Sequence, residues 1–177
     1  MAEVKDIFMY QMQLKGLEFD IVVHLPPEGA MDVLVRSDPN RLKQVLLNLL
    51  SNALKFTAWG SVVVDVRVSE DSLDFKVKDT GLGISEDDQK KLFTVFGKGS
   101  DHNGMNHKGN GLGLTIVKGI VERLQGDIWY KSKVGRGTTF YFNIFPQRMT
   151  FMDRLGAVSS IIPSLEEELE ERKHQSV

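Results

Sequence analysis

Apolar positions along this chain follow two periods, and the order in which they alternate predicts the elements. Val4, Ile7, Phe8 and Met12 recur at helical spacing over residues 2–14, with Gly16 as a stop. Phe19, Ile21 and Val23 alternate as a strand that Pro26-Pro27 ends, and Met31–Val35 reads as a second short strand. Asp38 caps a long helix with Pro39 at its first position, where a missing N–H costs nothing. That helix runs to Thr57, and Gly60 follows it. Val62, Val64, Val66 and Val68 alternate, as do Leu73, Phe75 and Val77, which predicts a hairpin around Glu70-Asp71. Ser85 opens a short acidic helix ending near Phe93. Residues 97–111 lose all periodicity and are crowded with Gly and Asn, as expected of a functional loop. A helix over Leu112–Leu124 stops at Gly126, and Ile128–Lys131 with Thr138–Ile144 form a closing hairpin around Gly135-Arg136-Gly137. Beyond Pro146 the pattern dissolves, leaving a loosely attached tail in which Ser164–Lys173 has the signals of a short acidic helix.

Strands and helices interleave without a regular βαβ alternation. The expected fold is therefore α+β, a two-layer sandwich of a mixed sheet packed on helices. One domain is expected over residues 17–146. Residues 1–16 read as the end of a preceding helix, and 147–177 as an acidic tail.

Composition narrows the function classes. The 177 residues suffice for one domain with a proper core. The formal charge is −2, and residues 1–146 balance 18 basic against 18 acidic side chains. That balance argues for no nucleic acid and no membrane surface as partner. The absence of cysteine excludes disulfides, thiolate metal sites and a Cys nucleophile. No apolar run reaches the roughly 18 residues of a membrane span, and residues 1–6 lack a signal-peptide pattern. A cytoplasmic chain is expected.

The long helix carries a polar seam. At about 100° per residue, Arg41, Gln44, Asn48, Asn52 and Lys55 lie near one line, while Leu42, Val45, Leu46, Leu49, Leu50, Ala53 and Leu54 cover the rest. Such a seam is either a solvent stripe or a row of ligand contacts. In the second case an Asn carbonyl oxygen suits Mg²⁺, which takes hard oxygen donors and relies on phosphates for much of its shell. Lys55 would then meet phosphate charge.

Two glycine clusters sharpen the choice. Asp79-Thr80-Gly81-Leu82-Gly83-Ile84 follows a strand, so backbone can approach a flat ligand closely at Gly81 and Gly83. The Asp79 carboxylate would accept from the exocyclic amine of adenine, where guanine presents an oxygen. Ile84 offers an apolar wall for the base. The alternative is a turn in which Asp79 bonds its own backbone. Gly109-Asn110-Gly111-Leu112-Gly113-Leu114 precedes a helix, so its freed N–H groups suit phosphate, although glycines also mark ordinary loop–helix junctions. It is neither a P-loop nor a dinucleotide fingerprint. Asn-bearing helix and two glycine clusters together point to an ATP pocket.

In this order, Asn48–Thr57, Asp79–Ile84, Phe93-Thr94-Val95-Phe96 and Gly109–Leu114 resemble the catalytic and ATP-binding domain of sensor histidine kinases. That domain shares a wider group with gyrase, MutL and the ninety-kilodalton heat-shock chaperones, and a Bergerat-type ATP-binding fold. The likeness runs from about Gly16 to Pro146. It implies that Asn52 coordinates Mg²⁺, Asn48 supports the phosphates, Lys55 contacts phosphate and Phe56 lies along the adenine. It further implies that Asp79 binds the adenine amine, with water held by Thr138. Gly109, Gly111, Leu112 and Gly113 would close over the phosphates as the hinge of a lid spanning 97–110, anchored by Phe93 and Phe96. Lys98 and Lys108 could also reach phosphate.

The position one turn before the metal-binding Asn is Glu in many ATPases of the group, where it activates water. Here Asn48 cannot accept a proton. The implied activity is transfer of the ATP γ-phosphoryl to a histidine on a dimerisation domain, with a response regulator downstream. The alternatives are an ATPase or a nucleotide-gated interaction module. His24, His102, His107 and His174 all read as surface residues without a phosphoacceptor pattern, so the acceptor is expected elsewhere.

Overall fold

A computed structural model of the chain describes residues 2–25, 35–69, 71–94, 112–145 and 147–148. The elements are α1 (Ala2–Leu14), β1 (Glu18–His24), β2 (Val35–Arg36), α2 (Pro39–Phe56), β3 (Ser61–Val68), β4 (Leu73–Asp79), α3 (Glu86–Gln89), α4 (Gly113–Arg123), β5 (Ile128–Lys133), β6 (Gly137–Ile144) and β7 (Gln147–Arg148).

Five strands form a mixed sheet in the order β1-β3-β4-β6-β5, parallel between β1 and β3 and antiparallel elsewhere. Strand alternation decides which side is buried. Val62, Val64 and Val66 of β3, Phe75 and Val77 of β4, and Phe140, Phe142 and Ile144 of β6 turn to one face. The rings of Phe75 and Phe142, paired across β4 and β6, stack at 4.4 Å between centroids. Onto this face α2 lays Val45, Leu46, Leu49, Leu50 and Ala53, α4 lays Val117, Ile120 and Val121, and α1 lays Val4, Phe8 and Met12. The mixed sheet on helices expected from the sequence is the fold observed.

The start of α2 follows its signal. Asp38 Oδ1 accepts from the backbone N–H of Asn40 and Arg41, both at 3.0 Å, satisfying donors that the first turn leaves open. Three boundaries differ from the expected ones. The second strand is Val35–Arg36, paired with β7 beyond the expected domain end; residues 31–34 of the expected strand lie outside the described residues. α3 stops at Gln89 rather than near Phe93, because the Gln89 carbonyl takes bonds from Tyr130 Oη at 3.2 Å and Leu92 N at 3.3 Å. At the end of α4 the left-handed residue is Gln125 (φ 60°), not Gly126. Gly126 instead closes the turn by donating to Val121 O, and a Cβ there would run into the Asn143 carbonyl. Closeness to the sheet, rather than backbone conformation, demands that glycine.

Candidate functional site

Two antiparallel ladders bring Asp79, the last residue of β4, beside the start of β6. Its side chain is 7% exposed, and Oδ1 accepts from Gly81 N at 2.9 Å and Thr138 N at 3.1 Å. Burial pushes the carboxyl above its ordinary value of 3.8, and the two amides oppose that push only in part. Among the described residues no hydrogen bond reaches Oδ2. One oxygen is fixed and the other is left open as an acceptor.

The loop after Asp79 is held from both sides. Leu82 N donates to Phe56 O at 3.1 Å, and Gly81 packs so close to the end of α2 that a Cβ would strike the Phe56 carbonyl and the Thr57 hydroxyl. Gly83 has φ 70° and lies against the Lys133 carbonyl, with Gly135 N donating to Leu82 O at 2.8 Å. Ile84 N donates to Ser132 Oγ at 2.8 Å, while its side chain packs on the core. Ser132 Oγ in turn lies 2.9 Å from Oγ1 of the buried Thr138. A hydroxyl pair thus ties the Asp79 loop to the β5–β6 hairpin.

The other contacts run along α2. Lys55 is exposed, with Nζ 4.9 Å from the centroid of the half-buried Phe56 ring. Asn52 and Asn48 are half-buried one and two turns back from Phe56. Asn48 Nδ2 donates to Gln44 O at 3.0 Å, and Asn48 Oδ1 lies 3.0 Å from where a Cβ on Gly113 would stand. Gly113 opens α4, whose N-cap, Leu112, makes no side-chain bond to the first turn. Among the described residues, the N–H groups there remain available to an anion.

The structure therefore gathers Asn48, Asn52, Lys55 and Phe56 on one helix, Asp79, Gly81, Gly83, Ile84 and Thr138 at its C-terminal end, and Leu112 and Gly113 beside Asn48. Phe93 leans on Tyr130 with centroids 6.0 Å apart. Phe96, Lys98, Lys108, Gly109, Gly111 and the lid expected over 97–110 lie outside the described residues. His24 sits exposed at the end of β1, 3.3 Å from Asp65 Oδ2, while His102, His107 and His174 also lie outside the described residues. A shallow hollow of about 270 Å³, lined by Arg41, Ile116, Gly119, Ile120 and Arg123, runs where α2 meets α4, away from Asp79.

Two residues at the site were not singled out from the sequence. Ser132 had no signal beyond a polar position in an alternating strand. Thr57 had one: a hydroxyl at the end of an apolar helix, directly after Phe56. It is fully buried, and among the described residues its Oγ1 has no hydrogen-bond partner.

Known proteins resemble this chain in sequence and in fold. Residues 37–149 match the family described as histidine kinase-, DNA gyrase B-, and HSP90-like ATPase. The chain is 38% identical over 146 residues to the aerobic respiration control sensor protein ArcB of Escherichia coli (strain K12), covering 81% of this chain and 18% of that protein. It is 39% identical over 136 residues to the autoinducer 2 sensor kinase/phosphatase LuxQ of Vibrio vulnificus (strain YJ016), covering 73% and 15%. The chain thus spans less than a fifth of the length of these relatives. Among solved structures, full-length ShkA in complex with AMPPNP superposes with a TM-score of 0.69 at 28% identity, over 83% of this chain and 29% of that one. The nucleotide-free catalytic domain of histidine kinase ThkA does so with a TM-score of 0.64 at 29% identity, over 82% and 90%.

Proposed function

This chain belongs to the histidine kinase-, DNA gyrase B- and HSP90-like ATPase family, as an ATP-binding catalytic domain of the sensor histidine kinase type, and we propose that it donates the ATP γ-phosphoryl to a histidine on a separate dimerisation domain. The supporting observation is the double attachment of α2. Its Phe56 carbonyl grips the loop after Asp79, and two turns earlier Asn48 abuts the uncapped start of α4. The two anchor points are about 12 Å apart along the helix axis. One rigid element would thereby hold adenine at one end and triphosphate at the other.

In this reading Asp79 Oδ2 accepts from the adenine amine, Ile84 and Phe56 flank the base, and Thr138 orients a water beside it. The first N–H groups of α4, with Lys55, would neutralise phosphate charge, joined by Gly109, Gly111, Lys98 and Lys108. Among the described residues no group of three His, Cys, Asp or Glu could hold a metal. Mg²⁺ nevertheless fits, because it needs only one hard protein oxygen when phosphates and waters supply the rest, and the Asn52 amide offers one on the seam. When bound, the ion would supply charge neutralisation at the γ-phosphate. The protein's task is then alignment: the bridging Pγ–O bond breaks as an imidazole nitrogen of the acceptor bonds to phosphorus, and ADP leaves. Asn48 cannot deprotonate water, which favours transfer over hydrolysis. A response regulator would take the phosphoryl group onward. Among the described residues no helix is long and apolar enough to cross a membrane, and we place the domain on the cytoplasmic side, where ATP is supplied.

The experiment is to incubate the chain with Mg·ATP and supplied dimerisation domains and to look for acid-labile phosphate on the acceptor. Labelling is expected, and Asn52→Asp should reduce it at least about 100-fold. Free phosphate released without acceptor would assign an ATPase instead. Binding with neither label nor release would assign a nucleotide-gated interaction module.

A further inference from the structure

The sheet face turned away from the helices is divided by charge. Across β4, β6 and β5 the register lines up Lys76, Tyr141 and Trp129 in one row, and Lys78, Thr139 and Lys131 in the next, with Lys133 following on β5. The Trp129 and Tyr141 rings stack at 5.6 Å and 6°, and Lys131 Nζ lies 5.9 Å from the Tyr141 centroid. Trp129 remains 43% exposed. Among the described residues none of the four lysines joins an ion pair. Of the neighbouring acids, Asp65 stands opposite Lys76 and lies 3.3 Å from His24, and Asp74 accepts from the Ser72 hydroxyl at 2.7 Å.

Four amines around an apolar pair call for carboxylates interspersed with apolar side chains. Base stacking needs open ring faces, and here Trp129 and Tyr141 cover one another, so a nucleic acid fits poorly. This chain holds a matching segment. Ser164–Lys173 carries Glu166, Glu167, Glu168, Glu170 and Glu171, with Leu165 and Leu169 four positions apart. Residues 1–146 are charge-balanced, so this run supplies the chain's acidic excess. The link from Arg148 to Leu165 reaches up to about 55 Å, against a domain radius of gyration of about 14 Å. We propose that the segment 164–173 of the same chain docks on the Lys76–Lys78–Lys131–Lys133 face, with its leucines against Trp129 and Tyr141.

Zero-length carbodiimide coupling of amines to carboxylates, on the dilute chain of 177 residues, tests this by mass spectrometry. Cross-links within one chain should join those four lysines to Glu166–Glu171, and their yield should fall roughly fivefold or more at high salt. Lys131→Glu with Lys133→Glu should abolish the links from the unchanged Lys76 and Lys78, and adding Glu167→Lys with Glu170→Lys should restore these. A second readout needs no lysine variant. Trp59→Phe leaves Trp129 as the only tryptophan, and changing the five glutamates to Gln should then shift its emission to the red. Links that grow with protein concentration would assign a second copy and overturn the proposal. Links that bypass the four lysines, or an unmoved Trp129 emission, would overturn it equally.

Discussion

The loop after Asp79 and Gly113 at the start of α4 are bound into the molecule in opposite ways. The loop after Asp79 is pressed against main chain at every turn: Gly81 on the Phe56 carbonyl, Gly83 on the Lys133 carbonyl, and Gly137 of the neighbouring strand on the carbonyl of Asp79 itself. Among the described residues, Gly113 meets only the amide end of a side chain, Asn48, at the start of a helix with no side-chain cap. A flat base is distinguished by one donor or acceptor, so its site gains from rigidity. A triphosphate is held by summed charge, which an open set of N–H groups provides without fixed partners.

The sharpest way to break this comparison is Asp79→Asn. The new Oδ1 keeps both bonds from Gly81 and Thr138, so the NH₂ group must take the open position and face the adenine amine. ATP affinity should fall on the order of 100-fold by titration calorimetry, because a charge-assisted bond is lost and two donors are opposed. Stability should move the other way. The folded-state pKa of Asp79 lies above its ordinary 3.8, chiefly through burial. Its contribution is therefore fully present below the unfolded value and is lost as pH rises through the folded one. At neutral pH the nucleotide-free Asn variant should melt above the parent, and the two should converge as pH falls toward 3.8. Over the same descent the parent's ATP affinity should drop. Equal affinities in parent and variant would show that the open oxygen does not read the base.

How much of this was legible follows the same division. The α2 start, the strand alternations and the place of Asp79 after a strand depend on local pattern, and Asp38, Val62–Val68 and Leu73–Val77 displayed it. Ser132 and Thr57 were missed because their roles arise only when a hairpin and a helix end are brought against the Asp79 loop, which no periodicity records. Gly126 was legible only as a helix stop: its constraint, the Asn143 carbonyl, lies on β6 and leaves no mark on the local pattern. On the phosphate side the seam of α2 was readable, while the partners expected for it over 97–111 fall outside the described residues.

A pair of glycine substitutions sharpens the contrast at smaller amplitude. Gly81→Ala sets a methyl against backbone that cannot retreat, and should cost about 1–3 kcal/mol in chemical denaturation. Gly113→Ala asks only the Asn48 amide to yield a few tenths of an ångström, in a residue type that helices favour. It should leave stability within about 0.5 kcal/mol while weakening ATP more than it weakens adenosine. Similar destabilisation by both would mean that the phosphate side is as tightly built as the base side.

The smallest effect concerns Thr57, the one flaw in the rigid half. Its hydroxyl is fully buried beside Gly81 and, among the described residues, has no partner. An unmade bond of this kind costs about 1–3 kcal/mol, part of which Thr57→Val would recover, since the valine methyl occupies nearly the same space. The nucleotide-free variant should gain roughly 0.5–1 kcal/mol. If the group is reserved for a water that arrives with the base, the gain should shrink in saturating Mg·ATP, and affinity should fall a few-fold. Melting curves with and without nucleotide separate the two contributions. A variant that is destabilised in both would show that Oγ1 is satisfied in the free protein, and that the base side carries no open position besides Asp79 Oδ2.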